Sequence, residues 1–141
     1  VVAGADLTIF WQPLQRAKYR SFTWRSELYY SNKQLGERSP ETTRDSWGLY
    51  SYVQSQLSPR WFIGVRGDLV LPTERDSSQL AWDIVPYLTF WQSEFVYLRL
   101  EYQHGQRLPY LKPSGDLGRR TDNRLLLQVD FAAGPHKHEK Y

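Results

Sequence analysis

"WFIGVRGDLVL" (residues 61–71) sets Trp61, Ile63, Val65, Leu69 and Leu71 against Gly64, Arg66, Asp68 and Val70. Alternation of this kind has the period of a β-strand, because successive side chains leave a pleated backbone on opposite faces. The same pattern recurs on both sides. Ala3, Ala5, Leu7, Ile9 and Trp11 alternate with Gly4, Asp6, Thr8 and Phe10. Between Tyr19 and Ser31, Phe22, Trp24, Leu28 and Tyr30 oppose Ser21, Thr23, Arg25 and Glu27, with only the small Ser26 interrupting the apolar parity. Further strands are expected over Trp47–Leu57, Leu80–Trp91, Phe95–Gln103 and Asn123–Phe131, and no window has helical spacing. Seven strands result. Pro86 falls on the apolar parity of the fifth, where it cannot donate to a ladder, so a bulge or an edge is expected there.

The connections alternate in length. "SPR" (58–60) and "QSE" (92–94) read as tight turns, whereas "SNKQLGERSPETTRDS" (31–46), "PTERDSSQ" (72–79) and "HGQRLPYLKPSGDLGRRTD" (104–122) read as longer, breaker-rich loops. At 141 residues the chain has the length of one domain. A mean hydropathy of −0.63 beside 16 % aromatic residues is an unusual pairing of polar bulk with many rings. There is no cysteine, so no disulfide or thiolate site arises. The net charge of +3 is spread among interleaved acids, and no basic face tracks nucleic acid.

An apolar parity can face a soluble core or a bilayer. Three features favour the bilayer. The opposite parity carries Arg25, Glu27, Arg66, Asp68, Asp83, Arg99, Glu101 and Arg124 in mid-strand, which suits a water-filled lumen, though a solvated sheet exterior would suit them too. Rings gather at both strand ends: Trp11, Trp61, Phe90, Trp91, Phe95 and Phe131 near the short connections, Tyr29, Tyr30, Trp47, Trp82 and Tyr102 near the long ones. Two such belts fit the two membrane interfaces. Short turns at one end and long loops at the other are the asymmetry of outer-membrane barrels.

The expectation is therefore an all-β, antiparallel, up-and-down transmembrane β-barrel over residues 1–131, followed by a periplasmic tail over 132–141. An odd strand count leaves edges that lipid cannot satisfy. Together with a start inside a strand and no signal segment, it points to the C-terminal part of a larger barrel, or else to one unrecognised strand.

"WQSEFVYLRLEYQ", a polar loop, "NRLLLQVDF" and an ending of the form "GPH.H..Y" resemble the C-terminal region of a family of bacterial outer-membrane barrels, porin-like or TonB-dependent-receptor-like and sometimes linked to zinc. The resemblance is closest over residues 82–141. Ser93, Glu94, Phe95, Arg99 and Tyr102 match a recurring "SEF..LR..Y" signature, and Gly134, His136 and Tyr141 match the ending; the second histidine, His138, stands closer to the first than in the family pattern. The resemblance implies location in the bacterial outer membrane with a periplasmic C-terminus. It also implies lipid, the remaining strands of the barrel and the barrel-assembly machinery as partners, with Phe131 and Tyr141 in the assembly signal.

The eight mid-strand charges are expected to line a path for small polar solutes or ions and to set its selectivity. Ladder pairing between opposite charges would account for them equally. His136, His138 and Glu139 are candidate ligands for a divalent cation, but two imidazoles and one carboxylate fall short of a closed site, and a solvated tail explains them as well. No cofactor is expected. Catalysis is not expected either: Ser78, His104 and Asp76 supply triad residue types without a nucleophile motif, and the adhesion-like Arg66-Gly67-Asp68 lies inside a strand. The expected function is a pore or receptor for uptake or diffusion. A soluble ligand-binding or structural β-barrel is the alternative, and an outer-membrane enzyme a lesser one.

Overall fold

The computed structural model describes residues 1–16, 19–35, 42–71, 80–107, 110–111, 114–115 and 117–132. Among the described residues nine strands follow in chain order: β1 Val2–Trp11, β2 Phe22–Leu35, β3 Thr42–Gln56, β4 Trp61–Leu71, β5 Ala81–Ser93, β6 Val96–Gln106, β7 Tyr110–Leu111, β8 Leu117–Gly118 and β9 Thr121–Phe131. Seven of them form one sheet in the order β1-β2-β3-β4-β5-β6-β9, while β7 and β8 pair as a small hairpin. Every neighbouring pair is antiparallel. The sheet is open, with β1 and β9 at its edges.

The seven long strands are those the alternation predicts, with shifted ends. Most of 31–46 is strand rather than loop: β2 continues to Leu35 and β3 begins at Thr42. Alternation fades there because both faces are polar, so hydropathy loses the signal while the ladder persists. One end of the sheet carries the connections 12–21, 57–60 and 94–95, and the other carries 36–41, 72–80 and 107–120.

Pro86 contradicts the expectation of a bulge or an edge. It lies in β5, a central strand, opposite Val65 of β4. The β5–β6 ladder skips Val85 and Pro86 between Ile84↔His104 and Tyr87↔Glu101, then resumes in the same register. A missing N–H therefore removes rungs without inserting a residue. The only irregularity in that ladder falls between Trp91 and Ser93, beside the turn.

The core is on the polar face. Val85, Tyr87 and Thr89 are 1 %, 8 % and 2 % exposed, and their ladder partners are Arg66, Gly64 and Glu101, and Phe62 and Arg99 respectively. Apolar-parity residues remain in the open: Leu7, Leu28 and Leu127 are 50 %, 48 % and 69 % exposed, and Ile9, Trp24, Ile63, Leu88, Leu98, Leu100, Leu125 and Val129 are exposed too. Burying one such side chain is worth roughly 1.5–3 kcal/mol. A water-soluble single sheet would leave that sum unclaimed across its whole width.

Candidate functional site

The ladders sort all eight expected charges onto one face. Asp6↔Glu27, Glu27↔Tyr50, Tyr50↔Asp68, Asp68↔Asp83, Asp83↔Gly105 and Gly105↔Asp122 are successive rungs of one row, which gathers five carboxylates across the sheet. The adjacent row, toward the short turns, runs through Thr8, Arg25, Tyr52, Arg66 and Val85, and Gln103↔Arg124 continues it on the far side. Arg99 and Glu101 stand nearer the short turns, opposite Thr89 and Tyr87.

Within each strand the charges form pairs two residues apart. Arg25 meets Glu27 at 2.6 Å, Arg66 meets Asp68 at 2.9 Å, Arg99 meets Glu101 at 3.8 Å, and Arg124 meets Asp122 at 2.9 Å. All four point the same way, with the carboxylate toward the long connections and the guanidinium toward the short ones. Arg66-Gly67-Asp68 is thus one of a series. The Arg99 pair is loose because its guanidinium is held elsewhere: Nε donates to Thr89 Oγ1 at 2.9 Å, and the group lies 4.8 Å from the Tyr87 ring centre and 5.6 Å from that of Tyr97.

Two glycines make room on this face. The Tyr87 ring lies against Gly64, so closely that any Cβ there would collide with it, and its hydroxyl donates to Gln54 Oε1 at 3.2 Å. Asp83 occupies the corresponding space over Gly105. Absence of a side chain is what lets a neighbour cross the strand at each position.

The apolar face carries no charge between its aromatic ends. Its rows are Ala3/Tyr30/Trp47/Leu71, Ala5/Leu28/Leu49/Leu69/Trp82, Leu7/Ser26/Ser51/Gly67/Ile84/His104/Asn123, Ile9/Trp24/Val53/Val65/Pro86 and Trp11/Phe22/Ser55/Ile63/Leu88/Leu100/Leu127. Two groups of polar atoms on it pair among themselves. The Trp24 indole donates to Ser26 Oγ at 2.9 Å and to Ser51 Oγ at 3.2 Å, and the two hydroxyls are 2.7 Å apart. The Tyr102 hydroxyl donates to Asn123 Oδ1 at 2.9 Å, His104 Nδ1 lies 2.7 Å from the same oxygen, and Trp82 meets the imidazole edge to face. Of the triad residue types, Ser78 and Asp76 lie outside the described residues. At the short-turn end, Trp61 and Phe90 stack across β4 and β5 with centroids 4.8 Å apart. Beyond the Tyr30/Trp47 row, Asp45 accepts from Tyr30 at 2.8 Å and Asn32 at 2.6 Å; these hydrogen bonds, Tyr30's first, hold its carboxyl below the usual range.

His136, His138, Glu139 and Tyr141 lie outside the described residues. Phe131 is 73 % exposed at the end of β9, paired with Val96. No group of three or more metal-ligating side chains occurs among the described residues. Sequence reading missed the part played by Asp6, Asp122, Arg107 and Arg120. The spacing Arg-x-acid in "RSE", "RGD" and "RLE" and its reverse in "DNR" (residues 122–124) was the available signal.

No family model and no solved structure matches the chain. An uncharacterized protein of Aquifex aeolicus (strain VF5) is 26 % identical to it over 127 residues, covering 84 % of this chain and 26 % of that protein. The chain thus spans about a quarter of the length of the curated relative it matches.

Proposed function

We propose that the sheet is a sector of a transmembrane β-barrel of the outer-membrane type, whose polar face lines a path for small polar solutes or ions. One observation carries the reading: on the seven long strands every Asp, Glu and Arg between the aromatic ends is on one face, and along the central strands β5 and β6 it is the other, uncharged face that is left exposed. A soluble sheet would bury that apolar face and solvate the charged one; the burial here is inverted.

Dimensions agree. From Trp61 to Leu71, the partner of Trp47, β4 advances ten residues, ~33 Å along the strand at ~3.3 Å per residue. At a tilt of about 40° this spans ~25 Å of membrane, the height of the apolar band of such barrels. Open edges at β1 and β9 need partners in lipid, and further strands of a longer chain would supply them. The outer-membrane family resemblance, a periplasmic C-terminus and recognition of Phe131 and Tyr141 by assembly machinery belong to this same reading.

The aligned pairs suit conduction rather than chemistry. Carboxylates toward one mouth and guanidiniums toward the other create a field along the path without a net block of either sign. Conductance across planar bilayers tests the reading with the full-length gene product. Ohmic, stepwise openings are expected, and a protein that stays monodisperse and folded without detergent and never conducts would refute it.

A further inference from the structure

Asp122 is 8 % exposed and is surrounded by three guanidinium groups. Arg107 Nε is 3.2 Å from Oδ2, Arg124 Nη2 is 2.9 Å from the same oxygen, and Arg120 Nε is 2.8 Å from Oδ1. Arg107 Nη1 also lies 3.4 Å from Asp83 Oδ2, which accepts from Gln103 Nε2 at 2.9 Å. The residues come from three strands and the segments beside them. Arg107 follows β6, Arg120 precedes β9, and a backbone bond from Arg107 N to Arg120 O at 2.9 Å holds the two segments together.

Three cations share two carboxylates, which leaves one positive charge within this cluster, at the end of a row that also carries Asp6, Glu27 and Asp68. Like charges so close repel, and each guanidinium has five N–H donors of which only one or two are engaged here. The Arg120 and Arg124 side chains are 71 % and 53 % exposed, so their remaining donors reach solvent. A cavity of about 320 Å³ opens beside the cluster; of its three arginines Arg107 alone lines the wall, with Asp68, Asp83, Trp82 and Gln106.

We propose that Arg107, Arg120 and Arg124 form a binding site for a small oxyanion, the phosphate or carboxylate group of a solute, at the long-connection end of the polar face. Asp122 holds the guanidinium forks convergent and partly occupies the place an incoming anion takes. Planar forks match phosphate and carboxylate oxygens in pairs, which a lysine cluster would not. Because the cluster is on the charged face, the ligand is a dissolved anion and not a lipid headgroup. Binding needs only this face; that the bound anion is a permeating solute rests on the pore reading.

Isothermal titration of the full-length gene product with inorganic phosphate, in uncharged detergent and a low-salt sulfonate buffer, tests the site. Saturable binding is expected. R120Q, whose exposed side chain supports little of the fold, weakens it on the order of fivefold for one lost charge, and R60Q, in the short connection at the opposite end of the sheet, leaves it unchanged. D122N tightens binding, since it raises the local charge while removing the internal competitor. Adding anionic lipid to the micelle leaves the isotherm unchanged. Absence of saturable binding, equal affinity in R120Q, an equal loss in R60Q, or displacement by anionic lipid would overturn the site, and weaker binding in D122N would overturn the role of Asp122. A protein that conducts but binds no phosphate refutes this inference alone.

Discussion

Tyr87 and Gly64 face each other across β5 and β4, and the phenol ring lies where any side chain at position 64 would have to stand. The ring shields the bare backbone of one strand and carries its hydroxyl on to Gln54 of the next. Such a glycine–aromatic pair pins register, because a slip of one residue would set the ring against a Cβ.

G64A should therefore cost about 1–3 kcal/mol, the range for overpacking a filled site, since the added carbon also meets the Val53 carbonyl oxygen at 2.7 Å. In a Y87A background the same substitution should cost less. Urea unfolding in micelles, run as a double-mutant cycle, reads the difference as a coupling of about 0.5–3 kcal/mol.

A charge on the apolar face should be expensive in proportion to depth. Val65 lies midway between the aromatic ends and Leu71 at one of them. V65R is expected to destabilise by about 2–4 kcal/mol and L71R by about 0–1 kcal/mol, as measured by denaturant unfolding in lipid vesicles.

The basic row should tune ion preference. Replacing Arg25, Arg66 and Arg124 by Gln leaves Glu27, Asp68 and Asp122 without their strand partners. At ~1 kcal/mol per charge in water at 4 Å, each replacement raises cation-over-anion permeability about fivefold. Reversal potentials under a salt gradient show the shift toward cations, and should show the opposite for Gln and Asn in place of the acids.

The Ser26–Ser51–Trp24 group should behave as a unit. S51A removes an acceptor of the indole and the partner of Ser26 on the face proposed to meet lipid, and should cost about 1 kcal/mol. S26A/S51A together should cost less than the two single changes added, again by unfolding in vesicles.

Much of the sheet was legible because between their aromatic ends its strands obey one rule, charge on one parity and none on the other. Trp61–Leu71 displays it without interruption, and the seven long strands follow from its recurrence. Where both parities turn polar, beyond Ser31 and before Trp47, hydropathy has no contrast to read although the backbone pairing continues. Pro86 misled because a proline's missing donor was expected to divert the chain, whereas the ladder to β6 omits rungs and keeps register. The Asp122 cluster was hidden for a different reason. Arg107 and Arg120 sit in a stretch that reads as loop, and only the pairing of β6 with β9 brings them to one carboxylate.

The most direct test of the account is which solvent each face of β4 meets. The chain has no cysteine, so single cysteines at Ile63, Val65 and Leu69 and at Arg66, Asp68 and Val70 can carry a nitroxide label in lipid vesicles. Electron paramagnetic resonance should show the first three accessible to dissolved oxygen and shielded from a water-soluble nickel chelate, with the second three reversed. Loss of that alternation, or its opposite phase, would contradict a lipid-facing apolar surface.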